Sequence, residues 1–316
     1  MKPSILTTMP VSPALHDRLS GLYDLHRLPE GAGPDAIPNL ARGARALITL
    51  GSLRTDTALM DALPELGLIC CYGTGFEGVD RPAAARRGIV VTNAGDANAA
   101  SVAEFAIGLM LTASRDILIG DRLVRAGGWT SLKLDRMPLV PGLAGRRLGI
   151  YGLGAIGMRI AQRAAAFDMA IGYHNRSPRP DVSYAFHGSL MDLARWADVL
   201  MVAVRAGTDN RHAVNRDILA ALGRDGLLVN ISRGIAVDEA ALCEALEAGA
   251  IAGAALDVYE HEPQVPDRLK ALPNVVLTPH MAALSSAAQG AQQEILLDNL
   301  QAFFGGRPVR WQVPPA

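Results

Sequence analysis

The stretch RLGIYGLGAIGMRIAQRAAAFDMAIGYHNRS, residues 147–177, decides the fold. An apolar strand, Leu148 to Tyr151, runs into Gly152-Leu153-Gly154-Ala155-Ile156-Gly157. Apolar residues at helical spacing follow from Ile156 to Phe167, and a second strand spans Met169 to Tyr173. This is half of a dinucleotide-binding unit. The first glycine permits the tight turn, the second lets backbone approach a pyrophosphate, and the third lets the helix pack on the strand. The helix N-terminus, at Ala155 and Ile156, then faces the phosphates. A site for NAD places Asp or Glu about twenty residues on, against the ribose 2′-hydroxyl. Here the strand ends in Asn175-Arg176-Ser177, without a carboxylate. That favours NADPH, with NADH as a possible second cofactor. The alternative for Arg176 is a solvated loop arginine.

The rest of the chain extends this α/β reading. Before the motif, strand-like runs at Ala46–Leu50, Leu66–Cys71 and Ile89–Thr92 alternate with helical patterns at Asp56–Leu63 and Arg81–Arg87. After it come strands near Val199–Ala203, Leu227–Ile231, Ile251–Leu256 and Val275–Leu277. A nucleotide motif in mid-chain requires roughly a hundred residues to build something else first, so a separate domain precedes it. One long helix is expected over Ala99–Ala126, a natural dimer surface, then a loop-rich segment, Gly127–Gly145. A second long helix over Ser285–Phe304 is expected to return to the first domain. The boundaries predicted are 1–98 with 284–316, and 99–283.

Charge and composition narrow the partners. Thirty Lys and Arg against 31 Asp and Glu leave a net charge of −1, so no global field recruits nucleic acid or an anionic membrane. A small molecule or another protein chain is the expected partner. No run of eighteen apolar residues and no signal-like h-region appears. Cys70, Cys71 and Cys243 are an odd number with an adjacent pair, unsuited to a disulfide framework, which points to a reducing, cytoplasmic setting. No metal site is expected.

Three polar residues sit where predicted strands end, where ligands collect in open α/β sheets. Arg233 follows Leu227–Ile231, Glu262 follows Ile251–Leu256, and His280 follows Val275–Leu277. Singly, each reads equally as a surface ion pair or a loop residue. Their placement at successive strand ends favours chemistry.

With these residues in place, the chain resembles the D-isomer-specific 2-hydroxyacid dehydrogenases over nearly its full length. The motifs carrying the resemblance are Gly152 to Gly157, Asn230 to Gly234, Gly253 to Val258, Glu262-Pro263 and Pro279-His280. Gly128-Trp129-Thr130-Ser131 and Tyr173 to Pro178 look most like the NADPH-using glyoxylate, hydroxypyruvate and hydroxyphenylpyruvate reductases. The resemblance implies two Rossmann-like domains with parallel sheets around a central cleft, the first domain discontinuous, and a homodimer through the Ala99–Ala126 region. It implies reduction of a small 2-oxo acid by hydride transfer, with His280 as proton donor, Glu262 holding its imidazole, and Arg233 binding the substrate's carboxylate and carbonyl. Gly73, Thr74 and Gly75 would grip the carboxylate through backbone N–H groups, and Leu53 would line the pocket. Asp257 would accept from the nicotinamide carboxamide; as a plain turn cap it needs no cofactor. Ile231, Arg233 and His280 would also contact the cofactor.

The chain departs from the pattern at several positions. Arg205 stands where proline is usual, beside an atypical Ala206-Gly207-Thr208. It is read here as a second contact for the 2′-phosphate or as a surface arginine. Ala282 replaces a glycine and would narrow the space beside His280, while Leu132 replaces an aromatic. Leu132–Val140, with Met137, would supply an apolar cap. Glutamate at 262, where a formate dehydrogenase has glutamine, argues against that activity. The competing class is a nucleotide-sensing co-repressor scaffold of the same fold.

Overall fold

The computed structural model describes residues 2–29, 31–133, 137–205 and 207–315. The chain forms two units, Met1–Asn98 with Ser285–Ala316, and Ala99–Leu284.

The first unit is built on five parallel strands, β1 (Ser4–Thr7), β2 (Asp24–Arg27), β3 (Ala46–Thr49), β4 (Leu68–Cys71) and β5 (Val90–Thr92), in the order β2-β1-β3-β4-β5. β3 and β4 are buried at every residue, as expected of parallel strands covered on both faces. The helices start where short polar side chains cap them. Ser12 accepts from Leu15 N–H ahead of α1 (Pro13–Leu22), Asp56 from Leu59 N–H ahead of α2 (Thr57–Asp61), and Asp80 from Ala83 N–H ahead of α3 (Arg81–Arg86). Asp56, read from sequence as helical, is thus the cap. The last helix, α11 (Ser286–Phe304), is capped by Ser285 and buries Leu296, Leu297 and Leu300 in one cluster with Ile5, Ile48, Leu68 and Cys70.

The second unit carries seven parallel strands, β6 (Arg147–Tyr151), β7 (Ala170–His174), β8 (Ala185–Phe186), β9 (Val199–Val202), β10 (Leu227–Asn230), β11 (Gly253–Leu256) and β12 (Val275–Leu277), in the order β12-β11-β10-β9-β6-β7-β8. The strand order reverses between β9 and β6. In open sheets that switch point is where ligands bind, outside the carboxyl ends. Successive residues serve opposite faces: Val199 and Met201 join Leu148, Ile150 and Ile160 in one core, whereas Leu200 and Val202 join Leu193, Leu219 and Leu242 in the other. The first core is covered by α4 (Ala99–Ser114), through Val102, Ala106 and Met110, and by α6 (Ala155–Ala165). The second is covered by α7 (Leu190–Trp196), α8 (Arg216–Leu222) and α9 (Glu239–Glu247), with the short α10 (Asp267–Ala271) beside it.

The long helix expected over Ala99–Ala126 is two. α4 ends at Ser114 and α5 (Ile117–Arg125) begins after Asp116, whose φ of 51° is left-handed. Asp enters that region more readily than most residues, because its short side chain can bond locally. α5 buries no side chain and leaves Ile117, Leu118, Ile119 and Val124 exposed. No helix among the described residues is long and apolar enough to cross a membrane. Cys70, Cys71 and Cys243 are free, buried thiols.

Candidate active site

The glycine turn at the switch point shows three different steric demands. At Gly152, φ is +102°, and a Cβ would lie 2.6 Å from the backbone of Val204, the chain leaving β9. At Gly157 a Cβ would lie 2.2 Å from Gly152 O, so only glycine lets α6 sit against the turn. At Gly154 a Cβ would meet nothing within 4 Å, and Gly154 leads into α6 with no side chain capping the helix. Uncapped N–H groups at Ala155 and Ile156 beside open space suit the pyrophosphate of a dinucleotide.

The turn is braced from the end of β7. Asn175 Oδ1 accepts from Leu153 N–H at 2.7 Å, and Arg179 Nη1 donates to Leu153 O at 3.0 Å. Asn175 therefore holds the loop that would hold the cofactor. Arg176 and Ser177 are exposed at the strand end. Arg179 was not singled out from sequence. It is located by its backbone N–H on the buried Tyr173 hydroxyl at 2.8 Å, and its guanidinium also pairs with Asp181, Nε to Oδ1 at 3.0 Å. Arg205 is exposed after β9, with its carbonyl accepting from Asn210 Nδ2 at 2.6 Å; Ala206 lies outside the described residues.

Three neighbouring strands carry the other polar candidates. His280 follows β12, and its Nδ1 lies 2.8 Å from Glu262 Oε2 in the segment after β11. Glu262 Oε1 accepts from Tyr259 N–H at 3.1 Å. Burial acts to raise the Glu262 pKa, but the His280 contact, the Tyr259 N–H and the charge of Arg233 outweigh it, leaving the carboxyl below its ordinary value. Arg233, half-buried after β10, donates from Nη1 to Ser232 O at 2.8 Å, and its carbonyl accepts from Asn230 Nδ2 at 3.1 Å. The next residue must be glycine, because a Cβ at Gly234 would lie 1.8 Å from the Tyr259 carbonyl carbon. The side chain of Ile231 is buried in the core.

His280 itself has a left-handed φ of 50°, and Asp257 accounts for how the loop is held there. The Asp257 carboxylate is fully buried. Oδ1 accepts from Thr278 Oγ1 at 2.6 Å and from Met281 N–H at 2.9 Å, and Oδ2 from Ala282 N–H at 2.9 Å. The backbone carbonyl of Asp257 takes His280 N–H at 2.8 Å. One carboxylate thus fastens both sides of the histidine. Ala282 is buried within the core cluster, so its methyl packs inward and does not narrow open space beside His280.

In the first unit, the loop after β4 turns three successive carbonyls inward. Gly73 O accepts from Ala94 N–H at 2.9 Å, Thr74 O from Asn93 Nδ2 at 2.7 Å, and Gly75 O presses so closely on Gly51 that a Cβ there would lie 1.8 Å away. In a trans peptide the N–H of the next residue points the opposite way. The N–H groups of Thr74 and Gly75 therefore point away from those contacts, an arrangement that would suit an anion. Leu53, after β3, is half-buried against the core, and its carbonyl would lie 2.3 Å from a Cβ at Gly78.

A family model described as the D-isomer specific 2-hydroxyacid dehydrogenase, NAD binding domain, matches residues 107–282. The chain belongs to the D-isomer-specific 2-hydroxyacid dehydrogenases. It is 38% identical to the hydroxyphenylpyruvate reductase of Plectranthus scutellarioides, over 96% of this chain and 97% of that one. It is 39% identical to the 2-ketogluconate reductase of Gluconobacter oxydans, over 96% of each. The crystal structure of an NADPH-dependent glyoxylate/hydroxypyruvate reductase from Sinorhizobium meliloti, in complex with NADP and malonate, superposes with a TM-score of 0.93 at 38% identity. It covers all of this chain and 98% of that one.

As a member of this dehydrogenase family the chain is an NAD(P)-dependent oxidoreductase. Of the apolar segment Leu132–Val140, Leu132 is exposed and Met137 approaches Gly120, while Leu134–Arg136 lie outside the described residues. A second polar cluster carries no motif in the sequence. Glu260 accepts from Arg211 Nη2 at 2.8 Å and meets His212 Nε2 at 2.7 Å, and its own N–H donates to the buried Glu239 at 2.8 Å. Burial, with the nearby Glu260 and Glu262 charges, pushes the Glu239 carboxyl above its ordinary value despite that N–H.

Proposed function

We propose that this dehydrogenase is an NADPH-preferring reductase converting small 2-oxo acids of the glyoxylate, hydroxypyruvate or aryl-pyruvate class into D-2-hydroxy acids, with NADH a possible second cofactor. The observation that carries the proposal is the His280–Glu262 contact at 2.8 Å beside the ends of β11 and β12. Gly152, Gly154, Ala155, Ile156 and Gly157 would hold the pyrophosphate, and Arg176 and Ser177, with Arg179 and Arg205 near the same strand ends, the 2′-phosphate. NADPH, when bound, supplies the hydride. Because His280 Nδ1 is engaged by Glu262, Nε2 is the ring nitrogen that gives its proton to the carbonyl oxygen. Glu262 accepts at Nδ1 and so holds the ring with Nε2 free for the substrate. Arg233 offers a cation to the negative charge developing on oxygen. The outward N–H groups of Thr74 and Gly75, next to Gly73, would bind the substrate carboxylate, assigning the first unit, residues 1–98 and 284–316, to substrate and residues 99–283 to the nucleotide.

The similar hydroxyphenylpyruvate and glyoxylate/hydroxypyruvate reductases support the substrate class, and the NADP-bound Sinorhizobium structure supports the cofactor. A homodimer is supported by α5, whose apolar face lies bare beside a groove lined by Val140, Pro141, Val275 and Val276. The three free thiols support a reducing, cytoplasmic setting. A nucleotide-sensing scaffold needs neither His280 nor Glu262, and no observation favours it. The test is kcat/KM for glyoxylate, hydroxypyruvate, pyruvate and phenylpyruvate with both cofactors. Turnover with NADPH exceeding that with NADH is expected; no turnover with any 2-oxo acid overturns the proposal.

A further inference from the structure

We infer that Asn93 is a positioning residue for the substrate, holding the Gly73–Gly75 loop so that its N–H groups face the carboxylate of a 2-oxo acid; the inference rests on the reductase reading above. Asn93 follows β5 and is 8% exposed. Its amide orientation is fixed by chemistry. Gly95 N–H, which only donates, lies 3.0 Å from Asn93 Oδ1, so Nδ2 is the atom that meets Thr74 O at 2.7 Å. That bond sets the peptide plane between Thr74 and Gly75, and with it the direction of the Gly75 N–H. The adjoining plane is set by Ala94 N–H on Gly73 O. One short segment, Asn93-Ala94, thus aims two consecutive N–H groups.

Asn93 is itself held. Its backbone N–H donates to Trp311 O at 3.2 Å, and the C-terminal segment continues along β5, with Gln312 bridged to Thr92 and Val313 N–H on Val91 O at 2.8 Å. Trp311 packs on Gly95, where a Cβ would fall 2.2 Å from the indole and φ is +57°. With its N–H and Oδ1 both engaged, Asn93 has Nδ2 directed to the loop.

Two variants test this. Asn93→Asp keeps the acceptor for Gly95 and replaces the donor to Thr74 O by an oxygen; Asn93→Ser removes the reach to Thr74. Both are compared with the unaltered protein for KM and kcat with glyoxylate and NADPH, inhibition by oxamate as a carboxylate probe, NADPH affinity by fluorescence, and Tm. The expected result is a tenfold or larger rise in KM and in the oxamate inhibition constant, a smaller change in kcat, and NADPH affinity within twofold. A purely structural asparagine would lower Tm and leave KM and oxamate inhibition within twofold, and that result in the folded Asn93→Ser protein overturns the inference. Absence of turnover in the unaltered protein defeats the reductase reading instead, and is distinguishable because it appears before any substitution.

Discussion

His280 Nδ1 and Glu262 Oε2 stand 2.8 Å apart, although the two residues are eighteen positions apart in sequence. The contact commits one ring nitrogen and leaves Nε2 as the only one for substrate. Replacing His280 by Ala should therefore lower kcat by about 100- to 10,000-fold, the range of general acid catalysis. NADPH affinity should stay within a fewfold of the original. Fluorescence titration beside steady-state kinetics checks both, and parallel loss of both would mean the histidine serves binding.

Glu262 should make stability depend on acid. Its folded pKa lies below the ordinary 4.5, so its contribution is present above that value and fades as pH falls through the lower folded value. Glu262→Gln removes the titration. Between pH 5 and pH 3 the Tm of the unaltered protein should drop more steeply than that of the variant; parallel curves would show that the contact contributes nothing.

The glycines make opposite predictions. Gly157→Ala forces a methyl to 2.2 Å from Gly152 O and should cost about 1–3 kcal/mol, seen as a lowered Tm. Gly154→Ala meets no protein atom within 4 Å and should leave Tm nearly unchanged. It should still weaken NADPH by about tenfold, or ~1.4 kcal/mol, by crowding the pyrophosphate. Calorimetry with and without NADPH separates the two, and unchanged affinity in Gly154→Ala would remove the turn from the cofactor site.

Arg176 is exposed where an NAD site carries its carboxylate. Arg176→Ala should weaken NADPH by about 1.5–3 kcal/mol, the value of a charge-assisted hydrogen bond, and spare NADH. Dissociation constants for both cofactors decide it. Equal weakening would undo the phosphate assignment, and unchanged NADPH affinity in Arg205→Ala would discard Arg205 as a second contact.

The strand and helix pattern was legible because periodicity and glycine spacing are local signals. Gly152, Gly154 and Gly157 sit in the strand-turn-helix expected, and β9 to β12 start or stop within a few residues of their expected bounds. The break at Asp116 was not legible, since nothing before it marks a stop and the apolar pattern continues into α5. Asn175 illustrates a different limit. Sequence showed that it was not a carboxylate, but its bond to Leu153 N–H depends on a close approach across the turn. Asn93 was hidden similarly, because its partner Thr74 lies some twenty residues away in sequence, and Asp257 was legible as a turn cap but its partners Met281 and Ala282 were not. Periodicity finds faces, whereas side-chain-to-backbone bonds across loops are a property of the folded chain.

The buried thiols make the protein its own reporter of opening. Burial pushes Cys70 and Cys71 up to about 12, so at neutral pH both stay in the unreactive thiol form while the strand is intact. Alkylation must then wait for β4 to be released. Cys243 sits in α9 of the other unit and responds to a different event. Mass spectrometry of pulse-alkylated protein therefore times the opening of each half of the chain separately, without any label having to be introduced.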